Sequence, residues 1–141
     1  MRLIKTGIAA CIALGTGACS HKVTTPQKFE GLYSGEFRYY NPQSNASAQS
    51  APITVSFSGY IYDATGAPDK KPAGGSGTFS MEGNKVKFEE KSMWTADFDW
   101  NMILKGTYDY QVKADSLILT KTAEQGDNKY PTIYRYALKK N

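Results

Sequence analysis

The stretch "GTFSMEGNKVKFEE", Gly77 to Glu90, decides the fold. Phe79 and Met81 alternate with Thr78 and Ser80, then Gly83-Asn84 supplies turn chemistry, then Val86 and Phe88 alternate with Lys85 and Lys87. Alternation with a period of two, broken by a Gly-Asn pair, predicts a β-hairpin with one buried face. A helix would need apolar residues three and four apart.

The same grammar extends in both directions. In "FEGLYSGEFRYY" the residues Phe29, Gly31, Tyr33, Gly35, Phe37 and Tyr39 share one parity. In "ITVSFSGYIY" the apolar set is Ile53, Val55, Phe57 and Ile61. "TYDYQVKADSLILTK" places Tyr108, Tyr110 and Val112 before a turn near Ala114-Asp115, and Leu117 and Leu119 after it. Tyr134, Tyr136 and Leu138 form a last strand, with Pro131 suited to its beginning. The expectation is an all-β domain of about seven or eight strands over 29–141. A small up-and-down antiparallel barrel hides its edges by closing, and a two-sheet β-sandwich is the alternative. Gly31 and Gly35 would let the first strand bend enough to close it.

Bulk properties agree with one folded domain. The chain has 141 residues, 40% hydrophobic and 21% charged, with ten tyrosines, six phenylalanines and two tryptophans. Its net charge of +4 includes Arg2 and Lys5 of the leader, and no basic block exceeds pairs such as Lys70-Lys71. That argues against nucleic acid as a partner. Two segments interrupt the strands: 41–52 is polar, and 63–77 is rich in Gly, Pro and Lys, both read as loops. Gly74-Gly75-Ser76-Gly77 lacks the Lys and the following helix that a phosphate loop needs.

Residues 1–18 read as a signal peptide, with Arg2 and Lys5 before the short apolar run Gly7 to Leu14. Thr16-Gly17-Ala18-Cys19 resembles a bacterial lipobox, in which the cysteine is lipidated and the chain is cut just before it. Cys11, after "IAA", is the second candidate, and ordinary secretion is the alternative. Residues 19–28 then form a tether to the membrane.

The chemistry is narrowed by counting. His21, the sole histidine, lies in the tether, and 29–141 has no cysteine. Ser-His-Asp and Cys-His nucleophile systems are therefore absent, as are ordinary zinc sites. No cofactor and no catalytic residue is implied. "WTADFDWN", Trp94 to Asn101, opens like a calcium loop, but Met102 stands where Gly is needed and Tyr108 where Glu is needed. Asp97 and Asp99 two apart on a strand project in parallel, whereas a glycosidase pair flanks the bond from opposite sides. Parity favours a wall: Trp94, Ala96, Phe98, Trp100, Met102 and Leu104 form one set, expected to face inward. The other set holds Thr95, Asp97, Asp99, Asn101, Ile103 and Lys105. A bend within 94–101 must interrupt so long a strand. Trp94, Phe98, Trp100, Tyr108 and Tyr110 are then the candidate lining of a ligand cavity, with a packed aromatic core as the alternative. An exposed aromatic platform for sugars is a third reading.

"GLYSGEF", "GTFSMEGNKVKFEE", "ILKGTYDYQVKADSLILTK" and "YRYALKK" resemble the lipocalin-like domain of small Bacteroidota lipoproteins. True lipocalins carry Gly-x-Trp in the first strand, where this chain has Gly31-Leu32-Tyr33. The resemblance implies a calyx-like barrel, and also the periplasmic side of the outer membrane, because "SHKV" after Cys19 lacks the acids that surface-exported lipoproteins of that group carry there; exposure at the cell surface is the alternative. The expected role is non-catalytic binding of a small apolar or amphipathic molecule in the cell envelope, the alternative a filled-core lipoprotein contacting protein or glycan.

Overall fold

The structure, a computed structural model, describes residues 28–95, 99–123 and 130–141. Eight antiparallel strands follow one another around a closed barrel. They are β1 (Gly31–Tyr40), β2 (Gln49–Ser58), β3 (Ile61–Thr65), β4 (Gly74–Glu82), β5 (Lys85–Glu90), β6 (Gly106–Lys113), β7 (Ser116–Ala123) and β8 (Thr132–Lys140). β1 pairs with β2 from Gly31↔Phe57 to Tyr39↔Gln49, and with β8 from Tyr33↔Lys140 to Tyr40↔Ile133. That second ladder closes the sheet and excludes the sandwich.

The two ends differ. At one, β2–β3, β4–β5 and β6–β7 are joined by the two-residue turns Gly59-Tyr60, Gly83-Asn84 and Ala114-Asp115. Each turn opens on a residue with positive φ (63°, 57° and 54°), as tight hairpins require. Phe29 plugs this turn end, its ring 5.2 Å from Phe57, 5.6 Å from Phe79 and 5.3 Å from Tyr110. The strand ends that meet at the other end are joined in sequence by four longer connections, 41–48, 66–73, 91–105 and 124–131.

Alternation holds where it was expected on β1, β4, β5, β7 and β8. Tyr33, Phe37, Phe79, Val86, Phe88, Leu117, Leu119, Tyr134, Tyr136 and Leu138 are all buried. The outer face of β5 is Lys85, Lys87 and Glu89, and that of β6 is Thr107, Asp109, Gln111 and Lys113. This polar exterior around an apolar interior is the reverse of a transmembrane barrel. One expectation fails at β3. Ile61 is 61% exposed, and Tyr62 is fully buried in its place. Gly59-Tyr60 is a hairpin turn, so Phe57 faces Tyr62 across it and the parity restarts. Likewise Gly74-Gly75-Ser76-Gly77 is not a loop but the start of β4, paired with β3.

The interior is filled. Rings contact one another along its height, among them Phe37–Tyr136 at 4.8 Å, Tyr62–Phe88 at 4.9 Å, Phe88–Tyr108 at 5.7 Å and Tyr108–Tyr136 at 5.7 Å. Edge-to-face pairs of this kind add about 0.5–1.5 kcal/mol each beyond burial.

Gly35 makes closure possible. A Cβ placed there would stand 2.0 Å from the Ala137 carbonyl oxygen on β8. Gly35→Ala must therefore push the two strands apart, and urea unfolding should show a loss of about 2 kcal/mol or more. Gly59→Asn is the comparison, because nothing lies within 4 Å of that Cβ position. Asn tolerates the left-handed backbone, and its cost should be about 1 kcal/mol or less.

Candidate functional site

Inward-facing rows change character along the barrel. On β5 the row runs Val86, Phe88, Glu90; on β7 it runs Leu117, Leu119, Lys121. On β8 it begins with Thr132 before Tyr134, and on β2 with Gln49 before Ala51 and Ile53. These polar members sit at the loop end, where the apolar rings give way to groups that can hydrogen-bond; at the turn end the β8 row closes on exposed Lys140.

The 91–105 connection covers part of this end. Asp99 accepts a hydrogen bond from the Asn101 amide at 2.8 Å and caps a single 3₁₀ turn, Trp100–Met102. The chain then lies beside the start of β4: Ala73 N–H donates to Met102 O at 2.9 Å and Leu104 N–H to Gly74 O at 2.8 Å. Met102, Ile103 and Leu104 are consecutive and all buried. No period-two strand can bury three neighbours, so the expected even-numbered wall ends here.

The five predicted lining residues are scattered accordingly. Tyr108 is fully buried in the barrel's centre. Tyr110 is half-buried at the turn end, its hydroxyl donating to Gly83 O at 3.0 Å. Trp94 is half-buried beside Gly75, Ser76, Ser92 and Met93 in a shallow groove of about 390 Å³. Trp100 does not face inward: the 3₁₀ turn leaves it 45% exposed, with the Lys105 ammonium 4.8 Å above its ring. Phe98 lies outside the described residues, as do Asp97, Cys11 and Cys19.

The space at the loop end is instead a cleft of about 430 Å³ bordered by three of the long connections and the start of β8. Tyr39 and Met102 form its apolar floor, both packed against the core. Its rim includes Tyr40, Asn41, Ser47 and Gln49 on one side, and Lys71, Asp99 and Thr132 on the other.

Two charged side chains mark the same end. Glu90 accepts from the Ser92 amide at 2.6 Å and the Ser76 amide at 3.3 Å. The Tyr62 hydroxyl donates to Leu104 O at 2.7 Å and reaches Glu90 Oε2 at 3.0 Å, its one proton shared between two acceptors. Burial pushes the Glu90 carboxyl up, but the bonds from Ser92, Ser76 and Trp94 outweigh it and hold it below its ordinary value. Burial and the Glu90 charge raise the Tyr62 phenol. Gly75 is required beneath this carboxylate, since a Cβ there would meet Glu90 Oε2 at 2.2 Å. This network ties β3, β4 and the 91–105 connection together.

Lys121 has a different setting. Its ammonium stands 4.9 Å over the Tyr108 ring and 5.3 Å over the Tyr134 ring, and donates to Lys105 O at 3.2 Å. No carboxylate lies within ion-pair distance of it among the described residues. Burial first, then the charge of Lys105, push its pKa down to about 8, against the pull of Asp99. Below it the Tyr108 and Tyr136 hydroxyls are fully buried and raised by burial. The two hydroxyls act on each other through charge and a loosely aligned hydrogen bond. The arrangement can hold polar groups of a ligand, for it offers a cation, phenols and amides.

Lys121 and Glu90 were accessible to sequence reading, because each continues an inward row by two residues. Comparison of the chain with protein-family models, with curated proteins and with solved structures finds no match.

The Lys121 shift has a pH consequence. Its native pKa lies below its ordinary 10.5, so the unfolded chain holds this proton more tightly. The cost of the buried charge is fully present below about pH 8 and is relieved as pH rises towards 10. Tyr62, Tyr108 and Tyr136 act oppositely, but only near and above about pH 10, where unfolded phenols ionise. Wild-type stability measured relative to Lys121→Met should therefore climb between about pH 8 and 9.5. A flat difference in urea midpoint across that window would refute the assignment.

Proposed function

We propose that this chain is a lipid-anchored envelope lipoprotein whose barrel binds a small amphipathic molecule at its loop end, without catalysing its conversion. The observation that carries the binding reading is the cleft of about 430 Å³, with an apolar floor at Tyr39 and Met102 and a polar rim. A ligand there would lay its apolar part on Tyr39 and Met102 and turn its polar groups towards Asn41, Gln49, Lys71 and Thr132. The packed rings below favour this placement over a wholly apolar ligand deep in the barrel. The lipoprotein reading rests on the leader and on Thr16-Gly17-Ala18-Cys19, with the periplasmic face of the outer membrane the expected address.

A second reading is favoured by the same filled interior: a non-catalytic lipoprotein that contacts protein or glycan through its loops. Native mass spectrometry of protein made in its own host separates the two. The binding reading expects a co-purifying species, or saturable uptake of an amphipathic fluorescent probe. Tyr39→Ala should weaken that binding by about tenfold while circular dichroism shows an intact sheet. A chain that carries nothing and takes up no probe leaves the interaction reading. For the anchor, Cys19→Ala should abolish metabolic labelling with a fatty acid; persistent labelling would move the modification to Cys11.

A further inference from the structure

The outer wall carries one anomaly of charge. Arg38 on β1 stands directly opposite Arg135 on β8. Elsewhere on this wall charged neighbours are matched, as with Lys85↔Asp109 at 2.8 Å. Like charges directly opposite each other destabilise a sheet. Arg135 is half-buried and has no hydrogen bond, ion pair or ring contact among the described residues. Arg38 has Glu36, but the Nε–Oε2 distance is 3.7 Å and both side chains are about half exposed. Such a pair contributes little.

The surroundings suit an anion. Across the ladders Arg38 is flanked by Ser50 and Arg135 by Thr120, giving the row hydroxyl, guanidinium, guanidinium, hydroxyl over four adjacent strands. The nearest acid farther along this row, Asp109, belongs to Lys85. Arg38 and Arg135 border one open hollow of about 280 Å³, together with Tyr40 and Ala48. Tyr40 is half-buried and supplies a phenol donor and a ring face.

We infer that Arg38, Arg135 and Tyr40 form a binding site on the outer wall for a phosphate monoester. Two planar guanidinium forks at strand spacing can each grip two oxygens of one tetrahedral group, and their combined charge matches a dianion better than a single carboxylate. The hollow exceeds a bare phosphate, so an organic substituent lies against Tyr40. The site shares Tyr40 with the rim of the loop-end cleft, but its two arginines lie on the outer wall, and it does not require that cleft to be occupied.

Isothermal titration of the full chain with inorganic phosphate and with phenyl phosphate, at fixed ionic strength, tests this. Saturable binding is expected, tighter for phenyl phosphate. Arg135→Gln and Arg38→Gln should each weaken it about tenfold or more. Lys139→Gln, on the same wall, should leave it unchanged. A parallel arm uses the Cys19→Ala chain with phosphatidylcholine vesicles, with and without phosphatidic acid. Arg135-dependent binding only to the acidic vesicles assigns the phosphate to a lipid headgroup; binding of phenyl phosphate without vesicle binding assigns it to a soluble ester. In chloride buffer Arg135→Gln should not lower the melting temperature, because it removes a repulsion. Three outcomes overturn the site: no saturable binding in either arm, binding that Arg135→Gln leaves intact, or a lowered melting temperature with no phosphate response.

Discussion

The ladder between β1 and β8 is the constraint on which the rest depends. It joins the first and last strands of the barrel, and it exists because β8 comes within touching distance of Gly35. With it, no strand presents an unpaired edge, and the alternating side chains enclose one continuous interior. Without it the same residues would form a curled sheet with Tyr33, Phe37, Tyr134 and Tyr136 open along one side. Closure also sets Arg38 against Arg135, so the wall's charge anomaly is a product of the seam and of nothing local to either strand.

Much of this was legible from period-two patterning. Phe79 through Phe88, Leu117, Leu119 and the β8 tyrosines alternate cleanly because each strand there has one wet face and one dry face. The misreadings share a cause: local geometry that changes which face a residue takes. At Gly59-Tyr60 a two-residue turn restarted the count and exchanged Ile61 for Tyr62. In 91–105 a capped 3₁₀ turn and a docked extended segment buried three residues in succession, which no parity describes. Trp100 was assigned inward because apolar character was taken as burial, whereas its ring serves as a platform for Lys105. The glycine run at 74–77 reads as a loop until Glu90 is placed above Gly75, a contact between residues fifteen apart that composition does not reveal.

The site was less legible than the fold because its members are defined by height along the barrel. Glu90 and Lys121 look like ordinary surface charges at strand ends. Their position two residues beyond Phe88 and Leu119, on the same face, places them inside. Glu90 is answered by amides and a phenol and works as a tie. Lys121 is answered by rings and one carbonyl, and so retains capacity for a partner. That contrast separates a structural charge from a receptive one better than exposure does.

The seam bears as well on how the chain comes to be folded. Every other neighbouring pair in the barrel is joined by a hairpin or one longer connection, and each can form as soon as its two strands exist. β1 and β8 are separated by nearly the whole barrel, so their meeting carries the largest loop-closure entropy. During synthesis β1 has only β2 beside it until Lys140 has emerged. The meander must therefore wait, sticky on its inner face, for β8, and a chain cut before that strand would leave it waiting indefinitely.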